Sequence, residues 1–248
     1  DEVRVYNATT GQVLHRFRRP AIGPRSVAFS PDGKSLAVGY CDGRVELLGT
    51  AKWQVEAKLD RQIGGVHAMA FSPDSKWLAT ANGPTFDEAG DSAVRVWDLA
   101  TRNLLMTREQ PKCMVRGVVF SPDGKGLAAA WGGGGSSGGV SLWDCADWKK
   151  REICPGSGCY GVAFSPDGKT LAAGMGGVTL LDAATGEERL CIPKAGGNSL
   201  AFSPDGKTVA TGAHDQMVRL WDIASGQERR VLKGHLDWVW WVAFSPDG

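Results

Sequence analysis

The sequence predicts an all-β protein assembled from recurring antiparallel sheets of four short strands. Three observations carry this reading. First, the string Phe-Ser-Pro-Asp occurs six times, beginning at Phe29, Phe71, Phe120, Phe164, Phe202 and Phe244, at intervals of 38 to 49 residues. That period suits one small sheet per repeat. Second, the apolar stretches around each copy are about five residues long and lack a 3.6-residue period, as strands do. Third, 34 glycines and 10 tryptophans combine many tight turns with many large packing side chains.

Each strand has its own signature. Ser26-Val27-Ala28-Phe29 is a first strand running into Ser-Pro-Asp-Gly, where proline presets φ, aspartate bonds its own backbone and glycine takes positive φ without a clash. Gly follows the motif in five copies and Ser75 in the second. A second strand comes next, as in Ser35-Leu36-Ala37-Val38-Gly39 or Thr208-Val209-Ala210-Thr211-Gly212. A third ends in an aromatic-acidic pair at Trp97-Asp98, Trp143-Asp144 and Trp221-Asp222. A turn such as Ala224-Ser225-Gly226 leads to a fourth, as in Glu228-Arg229-Arg230-Val231-Leu232. Four such strands are too thin to bury both faces alone, so neighbouring sheets must stack. The large side chain at the tryptophan position is expected between them, where burying an aromatic contributes most.

Six anchors, three Trp-Asp pairs and Gly234-His235 in phase resemble the WD-repeat family of β-propellers over essentially the whole chain. The resemblance implies a single domain over 1–248, with blades at about 25–58, 66–108, 115–153, 159–191 and 197–232. An incomplete composite blade would come from 1–19 and 234–248. The chain begins inside a third strand and stops after a first, which reads as a fragment truncated at both ends. In the family, a histidine before the first strand, a hydroxyl on the second, an aspartate in the next turn and the tryptophan form a hydrogen-bonded tetrad. The histidine place holds Pro20, Gln62, Pro111, Pro155, Pro193 and only once His235. Asp42, Asp91 and Asp215 fit the aspartate place, while Ser137 and Met175 hold it elsewhere. Tyr6-Asn7, Leu48-Gly49 and Leu181-Asp182 replace Trp-Asp. Most blades are therefore expected to lack the tetrad and to rely on packing and proline-stiffened loops. The regular Ser-Pro-Asp-Gly-Lys turn further resembles bacterial WD-repeat proteins.

Composition narrows the function classes. With 28 basic and 27 acidic residues, the formal net charge of +1 gives no field that favours nucleic acid or an anionic membrane. No apolar run approaches the length of a transmembrane helix, and a cytoplasmic location is the expectation. The six cysteines, Cys41, Cys113, Cys145, Cys154, Cys159 and Cys191, form no C-x-x-C pair and are expected as free thiols. His15, His67, His214 and His235 fall in separate units and make no catalytic constellation with serine or acid, so no enzyme, cofactor or metal is expected.

The resemblance places the loops before first strands and after second strands on one face, the top. Four residues ahead of each phenylalanine stand Arg25, His67, Arg116, Tyr160, Asn198 and Trp240. This varied polar and aromatic set is the candidate binding ring, and Trp238 joins it as an aromatic anchor. Trp241 is expected in the core between blades. The loop from Asn82 to Asp91 and the Gly/Ser run from Gly132 to Gly139 lengthen two neighbouring top turns, and both read as solvated loops. Asp87, Glu88 and Asp91 carry the carboxylate oxygens a calcium ion would take, though at no known loop spacing. The leading expectation is a scaffold whose top face binds a protein or peptide. The alternatives are a channel-centred propeller enzyme, a hydrolase or oxidoreductase, and a passive spacer.

Overall fold

The computed structural model describes residues 2–18, 23–84, 90–109, 113–132, 138–156, 158–193 and 195–248. Among them all regular structure is β. The strands are β1 (Glu2–Tyr6), β2 (Val13–Arg18), β3 (Pro24–Phe29), β4 (Ser35–Tyr40), β5 (Val45–Gly49), β6 (Gln54–Leu59), β7 (Gly65–Phe71), β8 (Trp77–Gly83), β9 (Ala93–Asp98), β10 (Leu104–Glu109) and β11 (Met114–Phe120). They continue with β12 (Gly126–Gly132), β13 (Gly138–Asp144), β14 (Lys150–Gly156), β15 (Gly161–Phe164), β16 (Thr170–Gly174), β17 (Gly177–Asp182), β18 (Glu188–Pro193), β19 (Ser199–Phe202), β20 (Thr208–Gly212), β21 (Val218–Asp222) and β22 (Glu228–Leu232). They form five four-stranded meanders, β3–β6, β7–β10, β11–β14, β15–β18 and β19–β22, and one two-stranded sheet, β1–β2. All pairings are antiparallel, and in every four-stranded sheet a bulge interrupts the third–fourth ladder. The bulge adds local twist; it falls beside Leu48, Trp97, Leu181 and Trp221 in four of the sheets, and between Val140 and Ser141, ahead of Trp143, in β11–β14.

The chain divides into two compact units, Asp1–Pro111 and Lys112–Gly248. In the first, Ala37, Val45, Leu47 and Leu59 of one sheet pack with Val66, Met69, Phe71, Leu78 and Trp97 of the next. Leu36, Val38, Tyr40 and Leu48 pack on the other side with Val3, Val5, Phe17 and Trp53. In the second unit, Ala128, Ala130 and Val140 meet Cys159, Leu171, Ala173 and Leu181. Ala163, Ala172, Val178, Leu180 and Ile192 meet Leu200, Val209 and Trp221. Trp97 and Trp221 thus lie between sheets. Second strands are covered on both faces, which explains their continuous Leu-Ala-Ala character. Each leucine or valine buried there contributes about 1.5–3 kcal/mol. Alanine and glycine set the close approach: a Cβ on Gly174 would stand 2.0 Å from the Gly197 carbonyl oxygen of the next sheet.

The Ser-Pro-Asp corner is one device used repeatedly. Ser30 Oγ donates to Asp32 Oδ1 at 2.6 Å, and accepts from Ser35 N at 2.9 Å, while Lys34 N donates to Asp32 Oδ1 at 3.0 Å. The same three bonds recur around Ser72, Ser121, Ser165 and Ser203. The serine bond, then the backbone bond from the following lysine, holds Asp32, Asp123, Asp167 and Asp205 below the ordinary aspartate pKa. Ser75 takes the positive-φ place at 59°, and its hydroxyl accepts from Asp32 N at 3.2 Å, a bond to the preceding blade that glycine would lack.

The C-terminal copy departs from the expected pattern. Residues after β22 form no strand, although the turn closes through Gly248 N donating to Ser245 O at 3.0 Å. Val239 N donates to Ala213 O at 3.0 Å, and Val242 N to Ser199 Oγ at 3.0 Å. Val239 is the buried residue at 5% exposure, while Trp241, expected in the core, is 64% exposed. The reason is physical: no ladder forms beside this segment among the described residues, so nothing covers the indole.

Candidate functional site

The tetrad positions show what the sheets use in place of the family network. In β7–β10, Thr80 Oγ1 donates to Gln62 Oε1 at 2.9 Å, and Trp97 Nε1 donates to Thr80 Oγ1 at 3.3 Å. Gln62 therefore substitutes for histidine as acceptor. In β19–β22, Trp221 Nε1 donates to Thr211 Oγ1 at 3.0 Å and Thr211 Oγ1 donates to Ala195 O at 2.7 Å. A backbone carbonyl closes that relay without any side chain. In β3–β6 and β15–β18 both ends are apolar: Val38 stands with Leu48, and Ala173 with Leu181. Among the described residues, only β11–β14 is mismatched: Ala129 holds the hydroxyl position, and the indole nitrogen of Trp143, wholly buried, has no partner there.

The aspartates of the tetrad serve arginines instead. Arg95 Nη2 pairs with Asp91, Arg219 Nη2 with Asp215 at 2.6 Å, and Arg44 Nε with Asp42 at 3.0 Å. The arginine bond lowers the Asp215 pKa and raises that of Arg219. His235 is exposed, and no aspartate or tryptophan bond to it is present among the described residues. Pro20, Pro111, Asp87, Glu88 and Ser137 lie outside the described residues, as do 133–136 of the Gly/Ser run.

The ring positions form two arcs, one in each unit. In the first unit, Arg25 Nε donates to His67 Nδ1 at 3.1 Å, joining equivalent positions of adjacent sheets. In the second, the Arg116 guanidinium carbon lies 4.8 Å from the centroid of the Tyr160 ring. Tyr160 meets His214 edge-on at 6.4 Å, His214 lies 4.1 Å from Trp238, and Trp238 lies 5.4 Å from Trp240. His214 also meets Trp240 at 5.8 Å. Asn198 immediately precedes β19, and its side-chain Nδ2 is buried with no partner among the described residues. Trp238 and Trp240 are 48% and 55% exposed. Arg116, Tyr160, Trp238 and Trp240 are thereby brought into one row. His214, which closes that row, was not among the ring positions expected from the sequence. Its signal was its place in the turn after a second strand, one of the loops assigned to the same face.

Among the described residues, no group of three or more His, Cys, Asp or Glu lies close enough together to hold a metal ion. No described helix is long and apolar enough to cross a membrane. Cys41, Cys145 and Cys191 are free thiols, and the Cys154 side chain lies outside those described.

Comparison with known proteins places this geometry. The WD domain, G-beta repeat model matches residues 11–47, 54–98, 102–144, 148–178, 197–222 and 226–248. The chain is 31% identical over 121 residues to telomerase protein component 1 of Rattus norvegicus, covering 49% of this chain and 4% of that protein. It is 46% identical over 59 residues to the WD repeat-containing protein VIP3 of Arabidopsis thaliana, covering 24% and 17%. It is 46% identical over 37 residues to the nuclear distribution protein PAC1-2 of Postia placenta, covering 15% and 9%. The chain thus spans less than a fifth of each of these relatives, and all three are eukaryotic rather than bacterial. A chain in a crystal structure of the mitotic checkpoint complex superposes with a TM-score of 0.84 at 21% identity, covering 100% of this chain and 76% of its own length, a likeness of fold. The repeated corners, the sheets of four strands and the matched segments together establish that this chain belongs to the WD40 family of β-propeller repeats.

Proposed function

We propose that the chain is a protein-interaction scaffold that binds a protein or peptide through the face where the first strands begin. The single observation that carries this is the row from Arg116 through Tyr160, His214 and Trp238 to Trp240, in which large aromatic side chains stay exposed in mutual contact. Exposed aromatic and arginine clusters are where binding energy concentrates at protein interfaces. Prior ring–ring contact limits the rotamer freedom that binding would otherwise remove. The length of the relatives supports a place within a larger protein. The bacterial character rests on the turn chemistry alone.

The test is affinity enrichment with the wild type and with a variant combining Arg116→Ala, Tyr160→Ala and Trp240→Ala, paired with melting curves. Partners retained by the wild type and lost by an equally stable variant support the face. Retention of every partner by the variant rejects it.

A further inference from the structure

Resting on that reading, we infer that the row between Arg116 and Trp240 takes a proline-rich segment in the polyproline II conformation, with an acidic residue at the Arg116 end. The rings are mutually tilted, by 74° between Tyr160 and His214, 31° between His214 and Trp238, and 55° between Trp238 and Trp240. Rings so tilted make a ridged aromatic surface rather than one flat plate, and proline-rich segments dock on aromatic-lined grooves of that kind.

Spacing agrees with this. Successive groups along the row stand 4.8, 6.4, 4.1 and 5.4 Å apart. A polyproline II helix advances about 3.1 Å per residue, so each step of the row matches one to two residues of ligand.

Polar chemistry chooses between ligand classes. The indole groups of Trp238 and Trp240 and the guanidinium of Arg116 are donors only. These three donors favour a ligand rich in acceptors, while the Tyr160 hydroxyl and the His214 ring can also accept. A polyproline II segment leaves its carbonyls free of internal hydrogen bonds, and its prolines bring no backbone N–H that would need an acceptor. Arg116 is the one formally charged side chain among the five row residues, and its fork matches a carboxylate. Single-stranded nucleic acid also stacks on aromatics, but it needs a basic track along its backbone. The chain has a net charge of only +1.

The experiment is a fluorescence-anisotropy titration of the whole chain with four labelled probes. These are a decapeptide of eight prolines led by two glutamates, the same peptide led by two glutamines, a glycine-serine decapeptide led by two glutamates, and a thymidine decanucleotide. The expected result is binding of the first probe at least about tenfold tighter than the third, with about tenfold loss on Trp238→Ala or Trp240→Ala. Arg116→Ala should weaken the glutamate-led proline peptide and leave the glutamine-led one unchanged. Both tryptophans are about half exposed, so these variants fold, and melting curves verify it. Equal binding of the glycine-serine peptide, still dependent on Trp238 and Trp240, overturns the proline assignment and leaves the peptide-binding face standing. Proline-peptide binding that ignores all three substitutions overturns both. Tighter binding of the oligonucleotide, or no peptide binding, overturns the proline assignment.

Discussion

Replacing Ala129 with serine should stabilise the protein, which is the reverse of what adding a hydroxyl to a core ordinarily does. Ala129 is fully buried, and Trp143 beside it has an indole nitrogen with no partner. An unsatisfied buried donor costs about 1–3 kcal/mol, and a hydrogen bond to it returns about 0.5–1.5 kcal/mol net. The geometry to copy is present in the same chain, where Trp97 and Trp221 donate to threonine hydroxyls at 3.3 and 3.0 Å. Serine adds one oxygen where those threonines add an oxygen and a methyl, so overpacking is small. The new hydroxyl also needs an acceptor. The Cys113 carbonyl holds the sequence place of the Ala195 carbonyl that accepts from Thr211, each being seven residues ahead of its Phe-Ser-Pro-Asp phenylalanine. A gain of about 1 kcal/mol corresponds to a rise in melting temperature of about 2–4 °C for a chain of this size. Thermal melts read it, with Thr211→Ala as the opposing control. That variant orphans both Trp221 Nε1 and Ala195 O and should lose about 1–3 kcal/mol. The reasoning is refuted if Ala129→Ser melts at or below the wild type while Thr211→Ala lowers the melting temperature as expected.

Other consequences follow from the same geometry. Gly174→Ala would drive a Cβ to within 2.0 Å of the Gly197 carbonyl, so it should cost about 1–3 kcal/mol in chemical denaturation, whereas alanine at Gly117, where the nearest atom is 3.5 Å away, should cost less. Asp182 and Asp222 are held down to a pKa of about 2, first by a backbone N–H, from Thr185 and Ser225 respectively, and then by Arg189 and Arg229. An unfolded aspartate titrates near about 3.9. Their contribution is therefore whole above about pH 4 and fades as pH falls toward 2. Melting temperature against pH should show this slope, and Asp222→Asn should flatten it; an unchanged slope counts against the assignment. Burial, then Asp144 and Asp123, pushes the Cys145 thiol up to about 12. Alkylation followed by peptide mapping should mark exposed Cys191 first and reach Cys113, Cys145 and Cys159 only on unfolding. Early labelling of Cys145 would contradict the structure.

Most of the fold is legible because its determinants are local. A Ser-Pro-Asp corner is closed by its own six residues, so six copies of the string announce six corners without reference to anything distant. The sheets from Pro24 to Leu59 and from Ser199 to Leu232 are each built around one such corner. The site is less legible because its determinants are not local. Gln62 reads as the loss of a histidine, yet an amide oxygen accepts from Thr80 equally well. The link from Tyr160 through His214 to Trp238 joins three repeats, and no spacing along the chain reveals that the rings touch. Trp241 misleads because burial belongs to the neighbour and not to the residue. The same inner-strand position that is fully covered at Ala68 leaves Trp241 in solvent where no ladder forms beside it among the described residues.

The pairing of residue types across β-strands two and three also sets a rule for recombining these blades. Two positions, such as 80 and 97 or 173 and 181, act as one unit with two self-consistent settings, hydroxyl with indole or aliphatic with aliphatic. Exchanging one position alone passes through the unsatisfied setting that 129 and 143 occupy, whereas exchanging both together does not. Chimaeric propellers assembled from this chain should therefore be cut between blades and never between those two strands.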